Sequence, residues 1–187
     1  MTDKIYITYE QIHEDTKILF YKLKKINYTP DYIIAIGTGG FIPARIMKTF
    51  FNDIPIICMT VSNYSNKDTL EQITKEIQMI HKNTSEHYSI KDKNILVIDE
   101  LDDTRSTLVY ITNYLLTLQP KHITIGVLHN KIKMKLKSLD SSIQYLSAKY
   151  VKDKWIVYPW ESRDLHIHNF LSKEDNNKEK HNKEIHI

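Results

Sequence analysis

Four acids and three hydroxyl side chains crowd one short stretch: Asp99, Glu100, Asp102 and Asp103, then Thr104, Ser106 and Thr107 around Arg105. Carboxylates spaced this closely can hold sugar hydroxyls or a divalent cation, because hard cations take oxygen ligands. Hydroxyls and backbone N–H groups at the start of a helix favour a phosphate. Side by side, the two groups point to a phosphorylated sugar handled with a metal ion.

That chemistry needs a strand before the acids and a helix after the hydroxyls. Ile95-Leu96-Val97-Ile98 is an apolar run without alternation, which suits a parallel strand covered on both faces. Leu108 to Leu118 predicts the helix, stopped near Pro120. The acids then stand at the carboxyl end of a strand, where open α/β sheets bind ligands. A second strand, turn and helix lies upstream: Tyr32 to Ile36, then Gly37-Thr38-Gly39-Gly40, then a helix that tolerates Pro43 in its first turn. Clustered glycines let backbone come close to a bound diphosphate.

Further elements complete the frame. Ile12, Leu19, Leu23 and Ile26 recur at helical spacing and predict an amphipathic helix over Tyr9 to Ile26. Ile54 to Val61, Ile123 to Leu128 and Tyr145 to Val151 read as strands, and Lys154 to Glu161 as an aromatic cap. Between Ser62 and Lys93 the residues Ile73, Ile77 and Ile80 suit a helix, while the polar flanks suit a long, mobile connection. The alternating order predicts an α/β fold, a parallel sheet with helices on both faces.

Composition narrows the classes. A chain of 187 residues is expected to form one domain. The single cysteine, Cys58, excludes an intramolecular disulfide, reads as a small buried hydrophobe and fits a reducing compartment. No apolar run reaches the roughly 20 residues that span a bilayer, and Met1-Thr2-Asp3-Lys4 does not begin like a secretory signal. A cytoplasmic protein with no membrane partner is the expectation. The net charge of +3 is spread along the chain, which argues against a nucleic-acid partner. Residues 172–187 are nearly all polar and are expected to form a disordered tail, in which His181 and His186 bind nothing in particular.

The run Val97 to Thr107 resembles the ribose-phosphate signature of the type I phosphoribosyltransferases: an apolar strand, two acids, two spacers, then Asp-Thr-x-x-Thr. Ile33 to Arg45 is similar to the pyrophosphate loop of the purine salvage members. Leu128-His129-Asn130-Lys131 and Asp153 to Glu161 resemble their base-recognition strand and hood. The likeness is to fungal hypoxanthine-guanine and short bacterial xanthine-guanine enzymes, from the first helix to Glu161. It implies a phosphoribosyltransferase domain over residues 1–171, with a flexible catalytic loop region at 62–93 and a base-binding hood at 145–165.

The same resemblance implies transfer of the 5-phosphoribosyl group from phosphoribosyl pyrophosphate to a 6-oxopurine with Mg²⁺, giving GMP, IMP or XMP, in a homodimer or homotetramer. Asp99 and Glu100 match the acids at the ribose and metal, joined at the metal by Glu161. Asp103 matches the acid beside the purine ring proton. Asp103, Thr104, Arg105, Ser106 and Thr107 match the 5'-phosphate loop, and Thr38, Gly39, Gly40, Ser62 and Tyr64 match the pyrophosphate contacts. Lys131, Trp155, Ile156 and Glu161 match the purine site. Trp160 is expected to pack structurally.

Departures from the family pattern leave alternatives. Arg105 stands where the wider family carries glycine, and could add charge to the phosphate cradle or point to solvent. Thr38 stands where relatives often carry a cation, and Arg45 could replace it or pair with an acid. Tyr64 could cover the pyrophosphate or simply be exposed on a loop. Asp102 matches no role and reads as a solvated neighbour, and Lys133, Lys135 and Lys137 read as a solvated basic stretch. A non-catalytic regulator sensing phosphoribosyl pyrophosphate or nucleotide is the rival function. A pyrimidine or adenine transferase would leave Lys131 and Trp155 without a role.

Overall fold

The computed structural model describes residues 4–64, 74–80 and 89–184, with side chains described outside 62–64, 74–80 and 175–184. Eight strands and four helices follow in order: β1 (Lys4–Tyr6), α1 (Tyr9–Lys25), β2 (Tyr32–Ile36), α2 (Phe41–Phe50), β3 (Ile56–Tyr64), β4 (Thr74–Ile80), β5 (Asn94–Asp102), α3 (Ser106–Thr117), β6 (His122–Lys131), β7 (Gln144–Val151), β8 (Trp155–Val157) and α4 (Leu165–Glu184). The main sheet has the order β4-β3-β2-β5-β6-β7, parallel except for the β3–β4 pair. The chain steps from β2 outward to β3 on one side and returns to β5 on the other. The carboxyl ends of β2 and β5 therefore flank the point where strand order reverses, the crevice that such sheets use for ligands.

Alternation along the strands separates two apolar layers. Ile33, Ala35, Leu96 and Ile98 face α1 and α2 through Ile12, Leu19, Leu23, Ala44 and Met47. Ile34, Ile36, Ile95 and Val97 face α3 through Leu108, Ile111 and Leu115. Each fully buried aliphatic side chain contributes about 1.5–3 kcal/mol by leaving water. Gly126 in β6 lets α1 approach this closely, because a Cβ there would stand 2.8 Å from Leu19 Cδ2. Thr8 starts α1 with a reciprocal cap: its hydroxyl accepts from the Gln11 N–H at 3.2 Å, and its own N–H donates to Gln11 Oε1 at 2.7 Å.

A hood is built from chain ends that are distant in sequence. β1 pairs in parallel with β8, matching Lys4 with Trp155 and Tyr6 with Val157. α4 docks on β1 through His168 Nε2, 2.8 Å from the Ile7 carbonyl, and through the Ser172 hydroxyl, which donates to the Tyr6 carbonyl at 2.8 Å. The tail expected to fray from residue 172 is instead helical backbone to Glu184, continuous with α4. The apolar Leu165, Ile167 and Phe170 and the buried Ser172 start that helix, so the polar residues extend a helix already formed.

Within the stretch from Ser62 to Lys93, which suited either a helix or a long connection, residues 65–73 and 81–88 lie outside the described residues. Thr74–Ile80 is a strand, antiparallel to β3 from the Cys58–Ile80 pair to the Tyr64–Thr74 pair. Strand pairing overrides the helix-like spacing of the isoleucines, four residues and then three, since β3 offers an open ladder edge. Among the described residues, no helix is long and apolar enough to cross a membrane.

Hood, sheet and α1 meet in a buried polar chain. His129 of β6 lies 2.9 Å from Asp15 Oδ2 of α1 through Nε2, and 2.9 Å from the Tyr158 hydroxyl through Nδ1. The Tyr158 hydroxyl donates to the Glu100 carbonyl at 3.1 Å, and Lys149 pairs with Asp15 Oδ1 at 2.6 Å. Tyr158→Phe would leave His129 and the Glu100 carbonyl short of a partner. The expected cost is about 2 kcal/mol, read in thermal denaturation as a fall of about 4–8 °C. An unchanged melting temperature would show that the chain does not tie the hood down.

Candidate functional site

Asp99 and Glu100 follow the buried Ile95–Ile98 run of β5, and their surroundings differ. Asp99 is buried, and its Oδ1 accepts the Glu100 N–H at 2.9 Å. Burial, reinforced by the neighbouring Glu100 carboxyl, pushes the Asp99 carboxyl well above the usual carboxylate range. The Glu100 carboxyl lies against Gly39, in the space that any side chain at position 39 would fill. Its Oε2 is buried without a hydrogen-bond partner. Gly40 is equally constrained, because a Cβ there would stand 2.6 Å from the carbonyl oxygens of Ile36 and Ile98. Two glycines therefore bring the Gly37–Gly40 turn onto the acids, and the Gly37–Thr38 peptide is cis.

An acid pair, Asp99 buried and Glu100 half-buried with one orphaned oxygen, fits a divalent cation that takes most of its ligands from substrate and water. Among the described residues no three His, Cys, Asp or Glu side chains are grouped to hold a metal by themselves. Glu161, expected beside Asp99 and Glu100, instead accepts the Tyr158 N–H at 3.1 Å and caps the 3-10 turn Pro159–Glu161. Among the described residues Arg45 pairs with no acid: it donates to the Thr49 hydroxyl, one turn along its own helix, at 2.9 Å. The backbone of Ser62 and Tyr64 is in β3, while their side chains lie outside the described residues.

Beyond β5 the turn Thr104–Thr107 starts α3 without a side-chain cap, and Arg105 is the N-cap with φ 68°. The first-turn N–H groups of a helix lack intrahelical acceptors, so this end offers donors to an anion. The Thr104 hydroxyl donates to Ser106 Oγ at 3.2 Å, placing both hydroxyls on the same turn. Thr107 is exposed in the first turn of α3.

Asp102 corrects its reading as a solvated neighbour. It is 1% exposed and accepts from Arg105 Nε at 2.9 Å, Arg105 Nη2 at 2.7 Å and the Tyr145 hydroxyl at 2.8 Å. Strand β5 runs to Asp102 and aligns it with Asn130, so its side chain enters the sheet layer rather than the solvent. Arg105 correspondingly lies over the Tyr145 ring, 4.6 Å from its centre, and does not point to solvent.

The lysines after β6 also differ from a solvated stretch. Lys131 Nζ lies 3.4 Å from Asp103 Oδ1 and 3.5 Å from Asp153 Oδ1, and Lys133 Nζ lies 2.7 Å and 3.1 Å from the same two oxygens. Lys135 Nζ donates to three carbonyls: Asp102 at 2.7 Å, Asp103 at 3.0 Å and Lys131 at 3.0 Å. Ile132, Met134 and Leu136 are exposed between them. The signal that could have found this arrangement is the strict alternation of lysine and apolar residue, which in extended chain sends every lysine to one side. Lys137 is exposed.

These charges set the state of Asp103. Partial burial pushes its carboxyl up, but the Lys133 hydrogen bond and the charges of Lys131 and Lys133 outweigh that and hold it below the usual range. Asp103 is therefore a carboxylate beside two ammonium groups. Asp153 joins the same cluster from the hood side. Trp155, two residues on, is 63% exposed and leaves its ring face open, whereas Ile156 is buried in the β1–β8 pair. Trp160 packs structurally, stacked on Tyr158 at 4.7 Å.

Asp99→Asn tests the acid pair. Its amide would still accept from the Glu100 N–H while removing a charge that burial disfavours. The folded-state acid has a raised pKa, so the native state of the unsubstituted chain loses stability as pH rises from the ordinary carboxylate value through the raised one. The variant is expected to match the parent near pH 4 and to exceed it by about 1 kcal/mol at neutral pH while losing turnover. Calorimetry across pH checks this, and a destabilised variant at neutral pH would contradict it.

Comparisons with known proteins agree with this geometry. Residues 5–163 match the family model described as the phosphoribosyl transferase domain. The hypoxanthine-guanine phosphoribosyltransferase of Saccharomyces cerevisiae is 34% identical, over 94% of this chain and 93% of its own length. Xanthine phosphoribosyltransferase 1 of the same yeast is 35% identical, over 91% of this chain and 96% of its own. Among solved structures, a hypothetical protein from Neisseria gonorrhoeae with bound ppGpp is 37% identical with a TM-score of 0.82, covering 94% of this chain and 98% of that one. The chain belongs to the phosphoribosyl transferase family, and its parallel sheet with the acids at the carboxyl end of β5 is the type I fold of that family.

Proposed function

We propose that this chain transfers the 5-phosphoribosyl group of phosphoribosyl pyrophosphate to a 6-oxopurine, hypoxanthine, guanine or xanthine, giving the nucleoside 5'-monophosphate and pyrophosphate. The observation that carries the reading is the pair of Lys131 and Asp103, a buried ammonium 3.4 Å from a carboxylate. A 6-oxopurine presents a carbonyl acceptor and a ring N–H on one edge, which match a cationic donor and a carboxylate acceptor. Adenine presents an amino group to Lys131 and finds no acceptor there. The relatives at 34–35% identity carry hypoxanthine-guanine and xanthine names, in line with this choice.

The residues divide the work along the cleft. Thr104, Arg105, Ser106 and Thr107 hold the 5'-phosphate by backbone N–H groups and hydroxyls. Asp99 and Glu100 receive the ribose hydroxyls. Mg²⁺, bound by these two acids together with substrate oxygens, would supply charge neutralisation for the leaving pyrophosphate. Thr38, Gly39 and Gly40 bring backbone to that group, and Ser62 and Tyr64, whose side chains lie outside the described residues, are assigned to the same pyrophosphate contact. The bond from ribose C1 to pyrophosphate oxygen breaks as the bond from C1 to the purine nitrogen forms, and the Asp103 carboxylate takes up the ring proton. Trp155 stacks on the base, the Ile156 carbonyl meets its edge, and Glu161 closes the hood end. Reaction in the cytoplasm by a homodimer or homotetramer belongs to the same reading, and the exposed Ile132, Met134 and Leu136 offer apolar surface for assembly.

One observation favours a second reading. The solved neighbour at 37% identity holds ppGpp, a guanine nucleotide bearing two diphosphates, so the cleft would also serve as a sensor of such nucleotides. Two measurements separate the readings. Purified protein with Mg²⁺ and phosphoribosyl pyrophosphate is expected to release pyrophosphate with hypoxanthine, guanine or xanthine and at least about 100-fold less with adenine. No release with any of the three would overturn the enzyme reading. Asp103→Asn is expected to lower kcat by about 10²–10³-fold while nucleotide binding persists, and a variant with unchanged turnover would remove Asp103 from the reaction.

A further inference from the structure

Arg105 occupies the left-handed region, φ 68° and ψ 0°, at the start of α3. A side chain there is disfavoured relative to glycine, which the wider family carries at this place. Some interaction must therefore hold the turn. We propose that Asp102 is a positioning residue for the phosphate-binding turn, acting through Arg105, which it latches in the left-handed conformation that the turn requires. The proposal rests on the assignment of Thr104–Thr107 to the 5'-phosphate.

The latch is closed from several sides. Two guanidinium nitrogens of Arg105 converge on Asp102 Oδ2, at 2.9 and 2.7 Å, and such charge-assisted bonds are stronger than neutral ones. The Tyr145 hydroxyl donates to the same oxygen at 2.8 Å, and the Tyr145 ring lies under the guanidinium at 4.6 Å. Burial, then the Asp102 charge, pushes the Tyr145 phenol well up, so it remains a donor. Lys135 Nζ lies 3.6 Å from Asp102 Oδ1 and fixes the Asp102 and Asp103 carbonyls, while the Leu136 N–H donates to the Thr104 carbonyl at 3.1 Å.

Arg105 thus directs Nε and Nη2 to Asp102, and its backbone is what serves the turn. Without the latch, a non-glycine residue leaves the left-handed region and the turn is competent in only a fraction of molecules. Apparent affinity falls by that fraction. The loss belongs to KM for phosphoribosyl pyrophosphate rather than to kcat.

Steady-state kinetics at saturating purine, varying phosphoribosyl pyrophosphate, test this on Arg105→Ala, Arg105→Gly, Asp102→Asn and the double variant Asp102→Asn with Arg105→Gly. KM of Arg105→Ala is expected to exceed that of Arg105→Gly by about tenfold, since glycine takes the conformation without a latch. Asp102→Asn is expected to raise KM severalfold, and Arg105→Gly in that background to recover most of the loss. Equal losses in the alanine and glycine variants would overturn the proposal and make the guanidinium a direct ligand. Failure of Arg105→Gly to relieve Asp102→Asn would overturn it as well. Should Asp102→Asn not fold, the alanine and glycine pair still decides. Amide hydrogen exchange over Thr104–Thr107 in the ligand-free protein is expected to be faster in Arg105→Ala than in Arg105→Gly, and equal rates would refute the latch. An unsubstituted chain without turnover would refute the proposed function, while the exchange measurement would still test the latch.

Discussion

Everything at the mouth of the cleft depends on compensating the carboxylates that β5 carries into the protein. Asp99 and Asp102 are buried, and Glu100 and Asp103 stand beside them on the same strand end. Uncompensated charge is costly in such surroundings, so each acid meets a different solution. Arg105, Tyr145 and Lys135 gather on Asp102, and Lys131 and Lys133 gather on Asp103. Asp99 and Glu100 receive no cation from the described residues. The acids left uncompensated are the pair assigned to ribose and metal, so the deficit itself marks where a charged ligand belongs.

This distribution ties distant parts of the chain to one point. The segment after β6 folds back over the turn at Thr104, where Lys135 meets the Asp102 and Asp103 carbonyls, and Asp153 joins the lysines from the hood. The Asp15, His129 and Tyr158 chain extends the same logic inward, reaching the carbonyl of Glu100 from behind. The backbone of Glu100, one of the two acids proposed to receive the ribose, is thus supported by α1, β6 and the hood together.

Much of the fold was legible because its signals are local. Unbroken apolar runs marked β2 and β5, the glycine cluster marked the start of α2, and periodic isoleucine and leucine marked α1. Several readings that the structure changed share one cause. Asp102 looked solvated, Lys133 and Lys135 looked like a solvated stretch, residues 74–80 lay in a segment that suited either a helix or a long connection, and residues 172–184 looked frayed. In each case the partner that decides the outcome lies far away in sequence or across the sheet: Tyr145 for Asp102, the Asp102 and Asp103 carbonyls for Lys135, β3 for β4, and β1 for the start of α4.

The sequence by itself determined the order of elements, the place of the acids beyond a buried strand, the phosphate-type turn and the resemblance to phosphoribosyltransferases, since these rest on residue type and short spacing. Only the tertiary structure decided which acids are compensated and which stay open, that Glu100 fills the space left by Gly39, and that Glu161 caps its own turn. It also decided what Arg105 does. A sequence shows that an arginine replaces glycine in the turn that resembles the family's phosphate loop, but the buried carboxylate and tyrosine that flank its left-handed backbone come together only when the sheet closes. Packing settles this because an ion pair in a buried layer depends on every neighbour within a few ångströms, and those neighbours are set by topology rather than by adjacency.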